Sequence, residues 1–159
     1  MERFMYEALK QAQIAMQKDE VPIGCVIVRN SDNKIIAKAY NKRHKKGIAT
    51  AHAEILAINK ACKKVKDWRL TDCTLYVTTE PCPMCAGAIL NARIEKVVYG
   101  TTDAKSGFLG GCYDVSDKNI LNHNIIVESG VLEKECKQIL QSFFENKRKQ
   151  SKAKKISEP

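Results

Sequence analysis

Apolar residues recur every three or four positions across residues 2–18, at Phe4, Met5, Ala8, Leu9, Ala12, Ala15 and Met16. That period gathers them on one face and predicts an amphipathic helix. The pattern then changes. Val21–Val28 is a largely apolar run rich in β-branched residues, which predicts a buried strand. Asn30-Ser31-Asp32-Asn33 is a turn cluster, and Lys34–Ala39 returns as a second strand, so the pair reads as a hairpin. Asn41–Thr50 is polar and basic and predicts a loop. Thr50 is a candidate N-cap for a helix from about Ala51 to Lys64, with Ile55, Ile58, Cys62 and Val65 along one face. Thr74–Thr79 reads as a third strand. It runs into Glu80-Pro81-Cys82-Pro83, and a proline in the opening turn suits a short helix over Met84–Ala92.

Lys96–Tyr99 predicts a further strand, Ile125–Val127 a short edge strand, and Leu132–Phe144 a final helix with Leu132, Cys136, Ile139, Leu140 and Phe143 on one face. Between them, Gly100–Leu121 has no period and contains Gly100, Gly107, Gly110 and Gly111. A loop of that length is functional or disordered. Strands alternating with helices predict an α/β layered fold. Its mixed sheet has an antiparallel hairpin at one edge and parallel strands beyond.

The chain has 159 residues, which suits one domain. The expected division is a domain over residues 1–148 and a basic tail without regular structure over 149–159. The longest apolar run is far short of the roughly 20 residues that span a bilayer. Charged residues interrupt the N-terminus, so it has no secretory h-region, and the expected location is the cytoplasm. The net charge is +9, and it is uneven. Lys147, Arg148, Lys149, Lys152, Lys154 and Lys155 face Glu158 alone in the last stretch. Lys38, Lys42, Arg43, Lys45 and Lys46 make a second basic run. Such fields attract polyanions, and nucleic acid is the common one.

Seven cysteines, an odd number without a secretory signal, argue against a disulfide framework and towards metal or catalytic use. Two short motifs stand out, His52-Ala53-Glu54 and Pro81-Cys82-Pro83-Met84-Cys85. One imidazole and two thiolates suit zinc, and three protein ligands leave the fourth tetrahedral position free, as catalytic zinc requires. Both motifs fall at predicted helix starts, where free N–H groups favour thiolate over thiol. Glu54 is the candidate proton carrier. Residues two apart do not share a helix face, so His52 and Glu54 meet only if the metal sits at the mouth of the helix. The competing reading is a closed structural site completed by Cys112, Cys73, His44 or His123. Cys112, in the glycine-rich loop, is the strongest of these. Cys25, Cys62, Cys73 and Cys136 read as small core residues.

The paired motifs resemble those of the zinc-dependent nucleobase deaminases. The likeness extends through Glu20-Val21-Pro22-Ile23-Gly24, Thr50–Glu54, Thr74–Thr79, Glu80–Ala88, Ala92-Arg93-Ile94, Val97–Gly100, Asp103–Gly107 and Phe143-Phe144. Over about residues 4–148 the chain resembles the bacterial tRNA-specific adenosine deaminases, which make inosine at the anticodon wobble position. The resemblance implies a three-layer α/β/α fold on a five-stranded mixed sheet, one Zn2+ per subunit and a homodimer. Its implied partner is a tRNA anticodon stem-loop, of an Arg tRNA, with the wobble adenosine splayed into the pocket. It implies His52, Cys82 and Cys85 as zinc ligands and Glu54 as the proton carrier. The implied substrate contacts are Asn41, Asp103, Lys105, Phe144 and Arg148. The chain departs from the family at Gly111, where Ser or Thr is common, and at Asn124, where Arg is common. Two other functions share the zinc motif: a free nucleobase or nucleoside deaminase of guanine or cytosine type, and a zinc-stabilised RNA-binding module without catalysis.

Overall fold

The computed structural model describes residues 1–116 and 121–157. Along them run α1 (Glu2–Gln17), β1 (Gly24–Arg29), β2 (Lys34–Tyr40), α2 (Arg43–Lys46) and α3 (Ala53–Val65). Then follow β3 (Cys73–Thr79), α4 (Pro83–Asn91), β4 (Lys96–Thr101), β5 (Ile126–Glu128) and α5 (Glu133–Ser157). The strands form one sheet in the order β2-β1-β3-β4-β5. β1 is antiparallel to both β2 and β3, and β3, β4 and β5 run parallel.

Strand side chains alternate between the two faces, and each face is covered by helices, giving three layers. Cys25, Ile27, Leu75, Val77, Val97 and Tyr99 pack with Ala53, Ala57 and Ile58 of α3 and Ile89 of α4. Val26, Val28, Tyr76 and Val98 point the other way, to Phe4, Met5, Ala8 and Leu9 of α1 and Cys136 of α5. Every residue of the central strand β3 is buried. Two glycines set how closely the second layer approaches. A Cβ on Gly24 would lie 2.0 Å from the Ala8 carbonyl oxygen, and one on Gly100 would lie 2.3 Å from Cys136 Sγ. Only a bare Cα lets α1 and α5 settle onto β1 and β4 there.

The architecture agrees with the pattern of the sequence, and several details differ. The basic loop after β2 contains the helical turn α2. α3 begins at Ala53, with His52 as its N-cap in extended backbone (φ −73°, ψ 153°), so Thr50 is not the cap. The basic tail is not without regular structure: α5 continues to Ser157. Residues 149–157 hold Lys, Gln and Ala with neither Gly nor Pro, so nothing in their chemistry stops the helix. The glycine-rich segment is folded through Ser116 by turns and a Leu109–Asp114 bridge, and residues 117–120 lie outside the described ones. Among the described residues no helix is long and apolar enough to cross a membrane.

Candidate active site

The N-termini of α3 and α4 meet at one end of the sheet. His52 caps α3, Cys82 caps α4, and Cys85 sits in the first turn of α4. His52 Nδ1 lies 3.7 Å from Cys82 Sγ and 3.6 Å from Cys85 Sγ. A tetrahedral zinc with ordinary Zn–N and Zn–S bonds requires N···S edges of about 3.6 Å, so the three atoms fit the ion. The donor set is borderline-soft, one nitrogen and two sulfurs, as zinc prefers. Among the described residues, no fourth His, Cys, Asp or Glu joins this cluster. Cys112 is exposed in the glycine-rich loop, and Cys73 is buried in β3. Neither they nor His44 or His123 close the site.

The protein environment prepares a thiolate here. The Cys85 thiol donates to Cys82 and the His52 ring lies beside it, which lowers Cys82 to about 4. Cys85 is pushed up, first as that donor and then by burial. His52 is raised chiefly by its bond with Cys82. The pair therefore carries one negative charge readily.

Glu54 follows one residue into α3, and its side chain is 4% exposed. Its extended neighbour His52 stands outside the helix, which is how residues two apart come to face one site. Burial is the main cause that raises the Glu54 carboxyl to about 7. Its Oε2 is buried without a hydrogen-bond partner. A buried carboxylate oxygen left without a partner is costly unless it serves the site. Val21, Ile23, Asn41, Arg43, His52 and Glu54 line a cavity of about 190 Å³ over it. Val21 and Ile23 also line a groove of about 700 Å³, whose other walls include Thr101, Asp103, Lys105, Lys137, Phe144 and Arg148.

The MafB19-like deaminase family profile matches residues 1–148. The chain is 49% identical over 152 residues to the tRNA-specific adenosine deaminase of Bacillus subtilis (strain 168), covering 96% of this chain and 93% of that protein. The chain belongs to the tRNA-specific adenosine deaminase family. A solved structure from a study of A-to-I editing by tRNA:A34 deaminases superposes with a TM-score of 0.79 at 42% identity, over 87% of this chain and 99% of that one. The guanine deaminase of Nitrosomonas europaea superposes at 0.78 with 22% identity, over 89% of this chain and 83% of that one, and so shares the fold.

The residues that the family resemblance singled out fall in two places. Asn41 is buried in the inner cavity. Its amide donates to the Val21 carbonyl and its oxygen accepts from the Arg43 N–H, so it also latches the turn it begins. Asp103, Lys105, Phe144 and Arg148 stand together in the outer groove. Asp103 accepts from the Lys105 and Ser106 N–H groups and the Ser106 hydroxyl. Phe143 is buried, and Phe144 packs edge-on against it with 45% of its surface exposed.

Two buried carboxylates at the site escaped the sequence reading. Glu20 accepts from the N–H groups of His44 and Lys45 and so anchors α2 beside the cavity. Glu80 accepts from the N–H groups of Asp103, Leu109 and Gly111. Their only signal in the sequence is an acidic residue beside an apolar run, which ordinarily means a solvated strand end.

Proposed function

We propose that the chain hydrolytically deaminates adenosine to inosine at the wobble position of a tRNA anticodon. The observation that carries this reading is that the deaminase cavity adjoins a cation-lined groove, with Val21 and Ile23 in the wall of both. A free base needs only the cavity. A nucleotide inside a strand needs room for its neighbours and positive charge for their phosphates, and Lys105, Lys137, Arg148 and Phe144 supply charge and a stacking surface. The wobble base lies in a single-stranded loop, so extruding it costs only a few kcal/mol.

His52, Cys82 and Cys85 are the residues that would hold Zn2+, one per subunit. Such an ion activates water for attack at neutral pH. Glu54 then does the proton work. Its carboxylate takes a proton from the attacking water as the oxygen bonds to the ring carbon bearing the amino group. It delivers that proton to the adjacent ring nitrogen. A second proton passes through it to the amino group, the carbon–nitrogen bond breaks, and ammonia leaves a carbonyl behind. Asn41 fixes the base in the cavity, and its two backbone hydrogen bonds hold its amide in place for that purpose. Asp103, Lys105, Phe144 and Arg148 hold the flanking nucleotides.

The family resemblance supports three further assignments: an Arg tRNA as substrate, a homodimer, and a cytoplasmic location. α4 supports the dimer. It carries no charged residue, and on its outer side Pro83 is exposed and a Cβ on Gly87 would meet nothing within 4 Å, so a second copy has an apolar face to cover.

Glu54→Gln tests the chemistry. It keeps the shape of the side chain and removes its proton-carrying role. The variant should retain its metal and its affinity for RNA while turnover falls by about 10²–10⁴. Loss of the metal would make Glu54 a ligand and overturn the assigned role.

A further inference from the structure

Glu80 is the last residue before the Pro81-Cys82 turn, and its carboxyl side chain is 3% exposed. No cation faces it at hydrogen-bond distance among the described residues. Its partners are three backbone N–H groups of the glycine-rich loop: Oε2 accepts from Asp103 at 2.9 Å, and Oε1 accepts from Leu109 at 2.9 Å and Gly111 at 2.8 Å. The backbone of the same turn is tied in as well. Glu80 N–H donates to the Thr101 carbonyl, and the Pro81 carbonyl accepts from Phe108.

The loop is shaped around that carboxylate. A Cβ on either Gly107 or Gly111 would lie 2.2 Å from Glu80 Oε2. Neither glycine has the positive φ that would explain it by conformation, so close approach is the reason for both. From the Asp103 backbone the tie continues outward, because the Asp103 carboxylate holds the Lys105 and Ser106 N–H groups.

We propose that Glu80 is a positioning residue for substrate. Its carboxylate fixes the Asp103–Gly111 loop to the turn that carries Cys82, and so fixes the Asp103–Lys105 wall of the outer groove relative to the inner cavity. The role rests on the functional reading above and adds to it the means by which groove and cavity keep their spacing. A carboxylate suits the task because it only accepts, and here three donors converge on it. A glutamine of the same shape presents an NH2 to at least one of those donors.

Steady-state kinetics of Glu80→Gln on an anticodon stem-loop, with metal content measured alongside, test the proposal. The variant should keep its metal and a kcat within about twofold of the parent, while KM for the RNA rises about tenfold or more. Gly111→Ala, which keeps the carboxylate and drives a methyl group into it, should raise KM in the same way. An unchanged KM overturns the positioning role. So does a fall in kcat with loss of metal, which would mean that Glu80 serves the Cys82 turn alone. Parent protein that leaves the stem-loop unedited overturns the functional reading instead, and the two failures are told apart by that control.

Discussion

At the scale of single residues, burial does most of the chemistry. Glu54 lies inside a helix end with one oxygen unpartnered, and burial raises its carboxyl from an ordinary value near 4.5 to about 7. A folded-state value above the unfolded one means the protonated form favours the fold. That contribution is full below pH 4.5 and is lost as pH rises through about 7. Glu54→Gln cannot ionise. In metal-free protein its unfolding free energy should therefore gain on the parent's between those two pH values, and a gap that stays flat in denaturant titrations would contradict the assigned burial. The cysteines divide by hydrogen bonding and exposure. In metal-free protein Cys82, lowered to about 4, and exposed Cys112 should react first with a thiol reagent. Buried Cys25, Cys73 and Cys136 should not, and adding zinc should protect Cys82 and Cys85 while leaving Cys112 reactive. Protection of Cys112 as well would make it a fourth ligand. The grouping of His52, Cys82 and Cys85, with Glu54 beside it, was legible because a metal-binding group needs those residue types at those spacings. Glu20 and Glu80 were not, because their partners are backbone N–H groups of segments 23 to 31 residues away, and a backbone donor leaves no mark in a sequence.

At the scale of elements, hydrophobic period located every strand and the long helices, since a half-buried surface must repeat as its backbone does. It failed where side chains rather than period set the boundary. His52 takes the cap position that Thr50 was expected to hold, and α2 forms within a stretch that has no apolar face because Glu20 binds its free N–H groups. Contact between layers is likewise set by single positions. Gly24 meets the α1 backbone at Ala8 and Ala12, where a Cβ would lie 2.0 and 2.5 Å away. Backbone cannot rotate aside as a side chain does, so Gly24→Ala should cost about 1–3 kcal/mol of stability in urea unfolding. A neutral substitution would mean that α1 sits further from β1 than described.

At the scale of the whole molecule, the site occupies one end of the sheet, and charge extends from it. α5 begins in the core at Cys136 and Phe143, passes the groove at Phe144 and Arg148, and continues as an exposed basic helix to Ser157. Truncation after Phe144 removes Lys147, Arg148, Lys149, Lys152, Lys154 and Lys155. It should weaken RNA binding and flatten the dependence of affinity on salt, because fewer phosphates are neutralised. An unchanged slope in a salt titration would make the helix end a solvated extension only. The same cavity chemistry would serve a free base, so substrate choice is the point on which the account stands. The deciding measurement offers the protein a synthetic anticodon stem-loop with adenosine at the wobble position, beside free adenine, adenosine, cytidine and guanine. Inosine in the RNA, with no ammonia from the small substrates, is the predicted result. Ammonia from a free base, with the RNA unedited, would contradict it.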